Sequence, residues 1–122
     1  MRLALEIALA RAVGRVSRAT GRGGGTTLPG KLLAAIDADA IARLAAALPQ
    51  GVVLVSATNG KTTTASMVAE ILGPRLRLAH NRAGANLLSG VASALLEARD
   101  AELAVLEVDE GALLDVASKF AP

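Results

Sequence analysis

The stretch Ser56-Ala57-Thr58-Asn59-Gly60-Lys61-Thr62-Thr63-Thr64 gathers a cation, a glycine and a row of hydroxyl side chains. It follows the apolar run GVVLVS (51–56), which reads as a strand buried on both faces, and it opens a helical pattern. Phosphate binding is the chemistry this arrangement suits. Unpaired amides at a helix start converge on phosphate oxygens, and the helix dipole favours an anion there. Gly60 lets the backbone approach closely, Lys61 is placed to reach the β- and γ-phosphates of a nucleotide, and the Thr62 hydroxyl to ligate Mg²⁺. Thr58, Asn59 and Thr63 complete the cradle. Consecutive β-branched threonines are poor helix formers, so a demand for hydroxyl groups explains them better than propensity. The bland alternative is an ordinary Thr/Asn-rich helix cap. Agreement between strand, Gly-Lys-Thr and helix argues against it. The common pattern G-x-x-x-x-G-K-[ST] would put its first glycine at Val55, so this is not the common form of the loop.

Two further stretches fall where strands run out. In His80-Asn81-Arg82-Ala83-Gly84-Ala85-Asn86, the residues Asn81, Arg82 and Asn86 are placed to bind phosphate or order a metal-bound water, and equally to form a turn. His80 makes a weak metal ligand, because no second His and no Cys accompanies it. In LAVLEVDEG (103–111), Glu107 ends a buried strand at the sheet edge where α/β proteins hold their ligands. Asp109 shares its strand face, and Glu110 follows. The alternative for each acid is a solvated strand end or a charge at a helix N-terminus.

The elements that must position these residues alternate. Strands are expected at 51–56, 75–80 and 103–108, with helices at about 57–72, 87–98 and 111–118. Strand–helix–strand order implies parallel pairing with right-handed crossovers. Before them, residues 3–20 read as a helix with Leu5, Leu9, Val13 and Val16 along one face and Arg11, Arg15, Arg18 and Arg22 along another. The glycine-rich stretch 21–30 stops that helix. A second helical region covers about 31–48, with Asp37 or Asp39 available to cap a restart. The division is thus a helical leader with its glycine-rich loop (1–48) and an α/β region (49–122). Three strands are few for a doubly wound sheet, so the expectation is part of a larger enzyme.

Composition narrows the classes. The 122 residues suit one small domain or a piece of a larger one, and 52% of them are hydrophobic, enough for a core. Phe120 is the one aromatic residue, which leaves no stacking platform for single-stranded nucleic acid. With no cysteine, disulfides and thiolate metal sites are excluded from this segment, as suits a reducing cytoplasm. The net charge of +2 hides an asymmetry: Arg2, Arg11, Arg15, Arg18, Arg22 and Lys31 face only Glu6 in residues 1–31. The rest is net acidic, so a uniform nucleic-acid-binding coat is not expected. The opening LALEIALA is too short for a membrane span and lacks a signal-peptide cleavage site.

ATNGKTTT (57–64) resembles the ATP-binding loop of the Mur ligase superfamily, G-T-x-G-K-[ST]-[ST], with Ala57 in place of the usual first glycine. GRGGGTTLPGKL (21–32), HNRAGANLLSGVASALL (80–96) and VLEVDEGALL (105–114) resemble, in order, landmarks of the MurT family of bacterial lipid II isoglutaminyl synthase subunits. The resemblance implies an α/β fold with a mostly parallel, P-loop-containing sheet, here an incomplete Mur-ligase ATP-binding domain behind a helical leader. It implies ATP and Mg²⁺ as cofactors and Lys61 as the catalytic cation. Thr58, Asn59, Gly60, Thr62, Thr63, Asn81 and Asn86 would sit around the nucleotide, with Thr62 and Glu107 on the metal. The implied reaction phosphorylates the α-carboxylate of D-glutamate in the lipid II stem peptide. Ammonia from a GatD-like glutaminase partner then converts the acyl phosphate to the amide of D-isoglutamine. Such a protein works in the cytoplasm at the inner face of the membrane. The arginine row is then either a solvated face or a contact with anionic lipid or pyrophosphate. Other Mur-superfamily ligases, such as muropeptide or folylpolyglutamate synthetases, and a non-catalytic P-loop module are the rivals. A piece of this size is expected to be inactive alone.

Overall fold

The computed structural model describes residues 2–19, 27–37, 39–81 and 84–120. Its elements are α1 (Arg2–Ala19), α2 (Leu28–Ile36), α3 (Ala40–Ala46), β1 (Val52–Val55), α4 (Lys61–Leu72), β2 (Leu78–His80), α5 (Leu88–Glu97), β3 (Leu103–Glu107) and α6 (Leu113–Phe120). A 3-10 turn at Glu110–Ala112 leads into α6. The three strands form a parallel sheet in the order β1-β3-β2. The last strand in sequence therefore lies at the centre, and every residue of β3 is buried: the apolar run 103–106, as a central strand requires, and Glu107 at its end. Val55 pairs with Glu107, and His80 with Val105. The α/β class, the parallel pairing and the strand–helix alternation of residues 51–120 agree with the expectation from sequence, though β2 is shorter than the alternating stretch suggested.

α5 is the most enclosed helix, buried from Gly90 through Leu96. Val91 and Leu95 join Ala79, Ala104 and Leu106 of the sheet in one cluster that Ile41 and Val116 close. Small residues let α2 approach α5 closely. A β-carbon on Gly30 would lie 2.0 Å from the Ser89 carbonyl oxygen, and the Gly30 amide donates to Ser93 Oγ at 2.9 Å. Gly30 therefore belongs to a helix–helix contact and not to the loop in which its sequence neighbours place it. The remainder of that glycine-rich stretch, 21–26, lies outside the described residues.

α1 departs from its sequence reading in orientation. A row of apolar residues at helical spacing is ordinarily the buried one. Here Leu5 is 73% exposed and Leu9 and Val16 are exposed too, while Ile7, Ala10 and Gly14 face the core. The reason is steric. α1 crosses α2 where Gly14 meets Pro29, and a β-carbon at position 14 would fall 2.5 Å from the proline ring. Close approach selects the small-residue face over the larger one. Of the arginine row, Arg11 donates to the Glu97 carbonyl at the end of α5, a favourable place for a cation, and Arg15 is exposed. The Arg18 side chain and Arg22 lie outside the described residues. The break between α2 and α3 falls at Asp37–Asp39 as expected, with Asp37 Oδ1 accepting the Asp39 amide at 3.0 Å.

Candidate functional site

β1 and β3 deliver their C-terminal ends side by side, and the candidate residues converge there. After Val55 the chain leaves the sheet, turns through Thr58-Asn59-Gly60 and starts α4 at Lys61. Gly60 sits at φ +79°, a left-handed conformation that side-chain-bearing residues rarely adopt. Nothing lies within 4 Å of where its β-carbon would be, so the backbone and not crowding demands the glycine. The first helical bond runs from Thr64 N–H to the Gly60 carbonyl at 2.9 Å. The amides of Lys61, Thr62 and Thr63 thus precede the helical ladder. Among the described residues, no side chain caps them. Thr58, Asn59, Thr62 and Thr63 are exposed around this turn.

Lys61 lies half-buried, its Nζ 3.7 Å from Asp109 Oδ1. Thr58 Oγ1 donates to Glu110 Oε1 at 2.6 Å. Glu107, 2% exposed, is held by its backbone: its N–H donates to Asn81 Oδ1 at 2.8 Å, and its carbonyl accepts from Asn81 Nδ2 at 2.7 Å. Among the described residues, no hydrogen bond or ion pair reaches its carboxylate. Ser56 Oγ is fully buried without a partner among them. Such unpartnered buried polar groups are uncommon in folded proteins.

Asn81 spends its side chain on backbone here, the turn-type role that sequence allowed equally with a ligand contact. Its amide also donates to the Ala85 carbonyl at 2.9 Å, which uses both Nδ2 protons on backbone. Asn81 therefore clamps the ends of β2 and β3 together. Asn86 contributes its carbonyl to the Asp109 amide at 2.9 Å, tying the start of α5 to the exit of β3. Arg82 lies outside the described residues. His80 brings Nδ1 to 2.7 Å from the Val105 carbonyl, and no three His, Cys, Asp or Glu side chains group as a metal site among the described residues.

The donor set fits a phosphate and a hard divalent cation. Three uncapped helix amides and Lys61 answer an anion, and the carboxylate of Glu107, unpaired among the described residues, answers a cation. Mg²⁺ needs only one or two protein oxygens when phosphates and water supply the rest, so no preformed cage is required. A separate cleft along β2, lined by Leu76, His80, Ala94 and Glu97, contains none of these groups.

No family model matches the chain. Comparison with curated proteins is decisive instead. The whole chain aligns at 35% identity with the MurT subunit of glutamine-hydrolysing lipid II isoglutaminyl synthase from Staphylococcus aureus. In Streptococcus pneumoniae a subunit of the same name is also 35% identical, over 82% of the chain. The chain belongs to the MurT family. It spans 28% and 23% of the length of those two MurT relatives. The loop 57–64 and the strand end 105–114, which helped carry the resemblance, also supply most of the candidate site in this MurT-family chain. Sequence alone puts Asp109 on the strand face of Glu107 with Glu110 after it, at the edge where ligands are held. Their contacts with Lys61 and Thr58 went unseen, and only the β1–β3 register would have revealed them.

Proposed function

We propose that this chain carries the ATP- and Mg²⁺-binding part of a MurT-type ligase, which amidates the D-glutamate α-carboxylate of the lipid II stem peptide. The observation that carries the reading is the pairing of an uncapped helix start bearing Lys61 with a buried, unpartnered Glu107 on the adjacent strand. The names of the relatives supply the substrate and the glutamine-hydrolysing reaction.

A carboxylate is a poor electrophile, and phosphorylation gives it a leaving group. In this reading the amides of Lys61–Thr63 bind the terminal phosphates, and the Lys61 ammonium offsets charge that builds up during transfer. Thr58, Asn59 and Gly60 shape the turn around the phosphate chain. Thr62 and Glu107 would hold Mg²⁺, which neutralises phosphate charge and orients the transferring group. Asn86 borders the nucleotide, and Asn81 fixes the strand end from which Glu107 projects. Ammonia for the acyl phosphate comes from a GatD-like glutamine amidotransferase, and the setting is the cytoplasmic face of the membrane that holds lipid II. No helix among the described residues is long and apolar enough to cross that membrane.

The test is ATP-dependent amidation of lipid II by the full polypeptide with a glutaminase subunit and glutamine. Lys61→Ala should abolish turnover and weaken ATP binding by about 1.5–3 kcal/mol, the worth of a charge-assisted phosphate contact, with the fold retained. Unchanged ATP affinity and turnover in that variant would remove the loop from the site.

A further inference from the structure

The two groups of the turn best suited to meet a phosphate are both engaged by acids from one other segment. Lys61 Nζ stands 3.7 Å from Asp109 Oδ1, and the Thr58 hydroxyl donates to Glu110 Oε1 at 2.6 Å. Those acids lie just past β3, about fifty residues further along the chain, and their backbone is well fixed. The Asp109 amide donates to Asn86, the Asp109 carbonyl accepts from Ala112, and the Val108 amide donates to Val55. Asn81 holds Glu107 at the end of β3. A rigid acidic segment thus grips a glycine-containing turn, at one point through an ion pair and at the other through a charge-assisted hydrogen bond.

We propose that Asp109 and Glu110 are positioning residues for the phosphate loop, acting as a two-point latch. They hold the Thr58–Lys61 turn in register with Glu107 and hand Lys61 over to the incoming phosphate. This rests on the ATP-binding reading above. One ammonium cannot satisfy two anions at full strength, so Asp109 and the phosphate compete for Lys61. When Lys61 leaves, the Asp109 carboxylate loses its ion-pair partner. The latch therefore lowers affinity for metal-free nucleotide while keeping the loop shaped for it.

The experiment measures ATP binding to the full polypeptide by calorimetry in chelator, together with amide hydrogen exchange in the protein alone. Asp109→Asn keeps size and removes the competitor. Metal-free ATP should then bind about two- to five-fold tighter, the range for a partly exposed ion pair, and exchange should rise at Thr64, whose amide bonds to the Gly60 carbonyl of the turn. Glu110→Gln, which converts the charge-assisted bond to a neutral one, should likewise raise exchange at Thr64. The decisive control is the Asp109→Asn change made in a Lys61→Ala background, where the gain in affinity should vanish because the two residues act as a pair. If the gain persists there, simple removal of negative charge explains it and the latch is wrong. ATP binding by the wild type with no gain in Asp109→Asn also ends the latch, while leaving the ATP site standing. No ATP binding by the wild type ends both.

Discussion

A buried carboxylate without a neighbouring cation is costly, and Glu107 is 2% exposed with none among the described residues. An arriving cation would offset that cost, so Glu107 is expected to respond to metal. Glu107→Gln keeps the shape and removes the charge. Apparent Mg²⁺ binding in the presence of ATP should weaken by about 1.5–3 kcal/mol, the scale of a lost charged contact. ATP binding in chelator should survive, because the amides of Lys61–Thr63 and the Lys61 ammonium are untouched. A magnesium titration of ATP affinity in both proteins separates these outcomes, and an unaltered Mg²⁺ dependence would reduce Glu107 to a packed strand-end acid. The position of Glu107 and the glycine at the helix start were legible in sequence because each rests on local pattern, a strand run ending in an acid and a helix beginning after a glycine. The engagement of Lys61 by Asp109 was not, since it depends on which strand lies beside β1. Nor was the role of Asn81: Asn suits a turn, a ligand contact or a backbone clamp, and only the neighbouring strand decides among them.

At the scale of elements, the tightest joint is the crossing of α2 and α5. Gly30 stands where a β-carbon would meet the Ser89 carbonyl oxygen at 2.0 Å and the Ser93 amide nitrogen at 2.8 Å. Both obstacles are backbone of a helix buried along most of its length, so neither moves aside cheaply. Gly30→Ala should therefore destabilise the fold by at least about 1–3 kcal/mol, the usual cost of overpacking, despite alanine's better helix propensity. Urea unfolding of the two proteins measures it; equal midpoints would mean the helices separate without cost. Sequence located most helix and strand cores because period and breakers are local signals. It missed that α2 begins at Leu28, because the Pro29-Gly30 pair looks like a loop while proline is well accommodated in a first helical turn. It also suggested the wrong face of α1. Which side of a helix is buried depends on what the partner offers, and Pro29 leaves no room for a side chain at position 14.

For the whole molecule, the sheet order β1-β3-β2 puts the loop-bearing strand at an edge. Alternation of strands and helices does not fix that order, because parallel strands joined by helices stack in several permutations. β1 pairs with β3 on one side, and among the described residues nothing pairs with it on the other. Beside that open side runs a groove lined by Ala45, Leu48, Val52 and Leu54 with Phe120 at its end, and Val53 is 40% exposed. An edge strand with unpaired amides and carbonyls beside apolar side chains is a template for another strand. The 122-residue chain by itself should therefore self-associate as concentration rises, through β1. A lysine on an edge strand blocks such pairing by burying a charge, so Val53→Lys should shift the population back toward monomer without lowering the unfolding midpoint. Sedimentation equilibrium across a concentration series compares the two proteins directly. A wild-type chain that stays monomeric throughout would mean that the β1 edge is protected by its own twist and neighbours. Association that Val53→Lys leaves untouched would move the contact elsewhere, to a surface such as the outward Leu5–Leu9–Val16 row of α1.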